Sequence, residues 1–154
     1  MPDFDTKHFG RLPYRDADVI EFAAGLPGFE HERRFLPVLL PNAAPLVMLQ
    51  SLATLELCFI TAPVFDIDPQ YRLAMAHEDL RAIGLPEGRE PVIGVDVLCL
   101  VVVTLAEGQA PTANLLAPLV VNAATRQGVQ AILADSGYSH QYVLESMAAE
   151  PACL

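Results

Sequence analysis

Apolar residues recur along this chain mostly with a period of two, or in short continuous runs, and seldom with the helical period. Period two is the pattern of a strand, whose successive side chains point to opposite faces. Val19-Ile20-Glu21-Phe22 alternates and stops at the turn-rich Gly25-Leu26-Pro27-Gly28. Residues 35–40 form a second strand. Pro37 inside it implies an edge or bulge position, because proline has no N–H to give to a ladder. Residues 46–52 and 57–61 read as two strands joined by Ala53-Thr54-Leu55-Glu56, a spacing that fits an antiparallel hairpin. A loop over 63–69 carries Asp66 and Asp68, and Tyr71-Arg72-Leu73-Ala74-Met75 reads as a short strand. Residues 77–85 are the best helix, with acids in the first turn, where the helix dipole favours them, and Gly84 placed as the stop.

The second half is strongly β. Residues 95–105 are long, β-branched and nearly uncharged, a pattern that wants cover on both faces. Residues 113–123 follow, interrupted by Pro118, which predicts an edge strand or a bulged one. Thr125-Arg126-Gln127-Gly128 reads as a turn, 129–134 as the returning strand and 138–144 as one more short strand. Many short, closely spaced strands predict a mainly β fold: a compact antiparallel β-barrel or sandwich-like domain with one or two short helices. No repeat, low-complexity run or linker divides the chain, so a single domain over 1–154 is expected. Its core spans about 17–145, between a flexible N-terminal arm and a frayed C-terminal tail over 147–154.

Composition sharpens this picture. Of 154 residues 53% are apolar, enough for a thick core without a disulfide or metal staple. Nineteen acidic residues face nine basic ones, and Lys7 is the lone lysine. The resulting charge of −10 repels phosphate backbones and anionic membranes and steers basic proteins inward, besides keeping an apolar domain soluble. The longest apolar run, 97–103, falls far short of the roughly 20 residues that span a bilayer. Met1-Pro2-Asp3-Phe4-Asp5 has early acids and no apolar signal region, so a cytoplasmic location is expected. Cys58, Cys99 and Cys153, an odd number, fit reduced thiols, and Cys153 is too near the end for a prenylation box.

Reactive constellations are missing from the pattern. His8, His31, His77 and His140 stand outside metal-ligand spacing of one another. Ser51, Ser136, Ser139 and Ser146 sit in no nucleophile elbow, and no phosphate-cradling glycine loop occurs. Asp66, Asp68, Glu78 and Asp79 read as a solvated face. The absence of tryptophan weakens a base- or sugar-stacking site. The expectation is a non-enzymatic protein with no catalytic residues, no cofactor and no metal.

Three stretches resemble the FliW family. Gly25-Leu26-Pro27-Gly28-Phe29-Glu30 is similar to its N-terminal signature. Asn114-Leu115-Leu116-Ala117-Pro118-Leu119-Val120-Val121-Asn122 resembles its second, and Arg126-Gln127-Gly128-Val129-Gln130, followed by Tyr138, its third. Order and spacing match over 19–144. One departure lies after Tyr138, where the family commonly has a basic residue and this chain has Gln141.

The resemblance implies a flagellar assembly factor that binds flagellin in the cytoplasm. It also implies binding to CsrA, the translational regulator that represses flagellin messenger RNA, by contact away from the RNA groove. Flagellin export then frees the factor to capture CsrA and lift the repression. The free protein is expected to be monomeric, with no direct nucleic acid and no membrane among its partners.

Candidate protein-binding residues are Phe29, Glu30, Asp66, Asp68, Tyr71, Asn114, Pro118, Asn122, Arg126 and Gln130. Phe29 reads more readily as a core plug beneath its turn than as an exposed anchor, and the two asparagines read at least as well as backbone ties. Arg126 is either a partner contact or an internal tie to a carboxylate, and Gln130 faces solvent. The strand around Pro118 and the 65–71 region are the candidate apolar docking surfaces for flagellin. Two other classes stay open. A small-molecule-binding barrel would have an empty apolar cavity, and a barrel hydrolase or isomerase an inward histidine or carboxylate with a shifted pKa.

Overall fold

The computed structural model describes residues 3–6 and 10–144. Lys7, His8, Ser146, Cys153 and the tail 147–154 lie outside the described residues.

Eleven strands are described. β1 (Asp3–Thr6) and β2 (Gly10–Pro13) form an antiparallel hairpin of their own. The main sheet contains β3 (Ile20–Phe22), β4 (Arg34–Leu39), β5 (Val47–Ser51) and β6 (Cys58–Pro63), then β7 (Val97–Thr104), β8 (Thr112–Ala113), β9 (Leu119–Asn122), β10 (Gln127–Gln130) and β11 (Tyr142–Val143). Neighbours run β7-β6-β5-β4-β3-β10-β9, and β9 returns to β7, so seven strands close into a barrel. Every ladder in the ring is antiparallel except β3–β10, which is parallel. β8 and β11 extend the sheet beside the upper half of β7.

Alternation along the strands builds two cores. Ile20, Phe22, Phe35, Leu49, Leu100, Leu119 and Val121, drawn from five of the seven strands, fill the barrel. Their rings meet edge-on or tilted, Phe22 to Phe35 at 5.7 Å and Phe35 to Phe59 at 5.7 Å. Gly128 makes the closure possible, since a Cβ there would stand 2.7 Å from the Phe22 ring. The opposite face of β7, with Val97, Cys99, Val101 and Val103, packs beneath residues 64–85 in a second core. Burial there pushes the Cys99 thiol up to about 12. The cover expected on both faces of the 95–105 run is therefore supplied, by the barrel interior on one side and the 64–85 segment on the other.

That segment holds the one described α-helix, α1 (His77–Ala82). Glu78 and Asp79 occupy its first turn. Gly84, at φ +73°, ends it in a Schellman arrangement: Leu85 N–H donates to the Leu80 carbonyl at 2.9 Å and Gly84 N–H to that of Arg81 at 3.1 Å.

The structure corrects the sequence expectation at several points. Residues 71–75 alternate buried and exposed as a strand would, yet pair with no strand. The Arg72 N–H donates instead to the Tyr138 hydroxyl at 2.9 Å. The run 113–123 splits into β8 and β9, both paired to β7, around the excursion 114–118. It is the bulged alternative and not an edge, because β10 covers the other side of β9 and Pro118 is buried. The returning strand, expected over 129–134, is β10 over Gln127–Gln130, two residues earlier at its start. Pro37 does lie at an open edge. Leu52 N–H donates to the Arg34 carbonyl, which sets the β4–β5 register so that Pro37 turns its nitrogen away from β5, on the side β3 has left.

Candidate functional site

The barrel has two mouths, and strand direction sorts the candidate residues between them. β4 and β6 end, and β5, β7 and β10 begin, at one mouth; the reverse holds at the other.

The first mouth is a cleft of about 710 Å³. Its walls include Leu36, Leu39, Phe65 and Leu98, and its charged lining residues are Asp18 and Arg126. Leu39 is 73% exposed, Phe65 44% and Leu98 36%. The loop that contributes Ile93 and Gly94 also exposes Val92 and Val95. Asp96 holds this loop by accepting from the Arg89 guanidinium at 2.9 and 3.3 Å and from the Val92 N–H at 2.8 Å. The hydrogen bond from Arg89 is the main reason the Asp96 carboxyl is held below the usual carboxylate range.

Arg126 sits in the β9–β10 turn that borders this cleft. It is the one non-glycine residue with positive φ (65°) among the described residues, a conformation costing an L-residue roughly 1–2 kcal/mol. Asn122 enforces it. Its Oδ1 accepts from Ala124 N–H at 2.9 Å and Thr125 N–H at 3.3 Å, and its Nδ2 donates to the Ile83 carbonyl at 2.7 Å. Asn122 is thus a buried tie between the turn and the end of α1. Arg126, which the sequence left open as a tie to a carboxylate, has no ion-pair partner among the described residues. Asp18 is paired with Arg15 at 3.4 Å.

The other mouth is smaller, about 340 Å³, and lined by Phe29, Phe59, Asn114, Gln130, His140 and Gln141 among others. Three candidates from separate signatures, Phe29, Asn114 and Gln130, meet here, with Gln141 beside them. Phe29 is neither plug nor free anchor: its ring stands edge-on to Phe59 at 5.3 Å and remains half open. The loop that carries it depends on Gly25, at φ +71°, where a Cβ would lie 2.5 Å from the Glu30 carbonyl oxygen. Glu30 closes the same loop by accepting from Gly28 N–H at 2.6 Å. Asn114 Oδ1 caps the excursion by accepting from Ala117 N–H at 3.0 Å. Gln130 is partly buried, contrary to the solvent-facing expectation, and donates to the Ala117 carbonyl at 3.1 Å.

Asp66 and Asp68 lie on the 64–85 segment, Asp66 exposed and Asp68 capping Gln70 N–H at 3.0 Å. Tyr71 is interior. Its ring stacks on Tyr138 at 4.5 Å, its hydroxyl donates to the Leu115 carbonyl at 2.6 Å, and burial raises its pKa. Sequence reasoning missed a clamp near the second mouth. Glu32 accepts from Ser51 Oγ–H and, at 2.8 Å, from Thr54 Oγ1–H, tying the β5–β6 hairpin to the Phe29 loop. A serine followed three residues on by threonine at a hairpin was the available signal; its acidic partner, nineteen positions upstream, had none.

The sequence model of the family described as "FliW protein" matches residues 3–144. A flagellar assembly factor FliW from Syntrophomonas wolfei is 32% identical over 134 residues, 86% of this chain and 82% of the relative. One from Geobacillus kaustophilus is 34% identical over 141 residues, 90% of this chain and 92% of its own. A crystal structure of the flagellar assembly factor FliW superposes with a TM-score of 0.79 at 30% identity, covering 92% of this chain and 96% of that one. The fold is thus that of a known class, the flagellar assembly factors. The chain belongs to the FliW family.

Proposed function

We propose that this chain is a non-enzymatic, cytoplasmic assembly factor that works by docking onto other proteins. It binds flagellin, and when flagellin is exported it binds CsrA and relieves repression of flagellin translation. It is monomeric when free. The observation that carries this reading is the family match, which spans every described residue.

Physical features support docking over the other two classes. A ligand-storing barrel needs an apolar hollow, whereas Phe22, Phe35, Leu49 and Leu119 fill this one with almost no exposure. A barrel enzyme needs inward titrating groups, whereas His31, His77 and His140 are all exposed. The acids Asp66, Asp68 and Glu78, with the half-buried Asp79, lie along the 64–85 cover, where they favour a basic partner such as CsrA and repel its RNA.

The test is a displacement pull-down. Purified chain is loaded with CsrA and challenged with flagellin, then the order is reversed. Capture of each partner, and displacement of CsrA by flagellin, is expected. Capture of neither would remove the functional reading and leave the fold untouched.

A further inference from the structure

We propose that the larger, apolar mouth seats an amphipathic helix of a partner protein, and that Arg126 pairs there with an acidic group on that helix. This rests on the docking function above, in which the partner is flagellin.

Exposed Leu39, Phe65 and Leu98 converge on one apolar cleft of about 710 Å³. Of its two charged lining residues, Asp18 is already paired with Arg15, while Arg126 has no ion-pair partner among the described residues. Arg126 is also held in a backbone conformation that costs stability, in a turn that the partly buried hydrogen bonds of Asn122 fix. A desolvated guanidinium at an apolar wall calls for a carboxylate once the wall is covered. The occupant therefore has an apolar face and an acid beside it.

A helix fits better than a strand. The two strands with an open edge at the cleft, β4 and β2, each carry a proline there, Pro37 and Pro13, which has no N–H to give, so a guest strand would meet an interrupted ladder. A second copy of this chain is disfavoured by its charge of −10.

Binding of purified flagellin and of CsrA is measured by calorimetry for the wild type, Leu39→Asp, Arg126→Gln and Arg126→Gly, with light scattering on each free protein. Leu39→Asp is expected to weaken flagellin about tenfold or more, as for a central apolar contact. Arg126→Gln is expected to weaken it about three- to tenfold, as for a partly desolvated ion pair. Arg126→Gly removes the guanidinium while relieving the positive φ, so binding falls as in Arg126→Gln although the melting temperature holds or rises. CsrA binding is expected to stay within about twofold throughout.

Unchanged flagellin affinity in Leu39→Asp and both Arg126 variants overturns the assignment of this mouth, as does a parallel loss of CsrA. A wild-type dimer that Leu39→Asp dissolves also overturns it, because a second copy would then be the occupant. Failure of the wild type to bind either partner overturns the proposed function itself and this inference with it.

Discussion

At one end of the barrel, Leu39, Phe65 and Leu98 surround a wide apolar cleft with one cation, Arg126, that has no ion-pair partner among the described residues. At the other, a narrower groove gathers Asn114, Gln130, His140 and Gln141 around the paired rings of Phe29 and Phe59. The same strands run through both ends, so the difference lies in the connections. The first mouth is bordered by the β9–β10 turn and the loop held by Asp96, which leave apolar side chains uncovered. The second is bordered by loops and a strand end whose polar groups are largely spent on backbone: Glu30 on Gly28, Asn114 and, at the end of β10, Gln130 on Ala117. One mouth keeps its capacity for a partner in apolar surface, the other in the remaining valences of its amides.

Gly25→Ala is the harshest way to break the second mouth alone. The new Cβ collides with the Glu30 backbone at a positive φ, and a loss of about 3 kcal/mol in urea unfolding is expected. The Phe29–Phe59 ring contact should vanish from NMR spectra while resonances around Leu39 stay put. A loss under about 1 kcal/mol would mean that the loop relaxes freely and does not hold the groove.

Asn122→Ala strikes the first mouth. It removes three hydrogen bonds, one of them to the buried Ile83 carbonyl and two to partly buried turn amides, so about 2 kcal/mol should be lost in thermal unfolding. The Arg126 turn should then exchange its amides faster. Phe29→Ala, at a half-exposed ring, should cost about 1 kcal/mol and open the second groove without touching the first.

The smallest effect is set by pH. Asp96 is held below its ordinary value of 3.8, so its contribution is fully present above that value and is lost as pH falls through the lower native one. Acidification in that window should speed hydrogen exchange at the Val92 amide, and Asp96→Asn should abolish the dependence. Equal pH dependence in Asp96→Asn would assign the loosening to another group.

Most strands were legible in the chain because a strand with one face in a core must alternate. The 95–105 run even announced cover on two faces, and Gly84 announced the end of its helix. Residues 71–75 misled for the same reason: burial on one face produces alternation whether or not a partner strand exists. The Pro118 region was ambiguous because proline marks an interrupted ladder without saying whether a neighbour lies beyond it. Among the candidate residues, the type of each was visible but its mouth was not. Phe29, Asn114 and Gln130 are far apart in sequence and meet only because β3, β9 and β10 are neighbours in the closed ring. Tyr71 looked like a surface aromatic, and its hydroxyl finds the Leu115 carbonyl only through packing.

Local chemistry alone determined that this chain makes short strands, turns at Gly25–Gly28 and around Arg126, one brief helix and an acidic exterior, because these follow from side-chain period, backbone freedom and charge count. Tertiary structure decided that the strands close through a parallel β3–β10 contact, that Gly128 leaves room for Phe22, and that one mouth is apolar and the other amide-lined. Those outcomes depend on which distant segments become neighbours, and pairing between distant segments is a property of the closed barrel that no local pattern encodes.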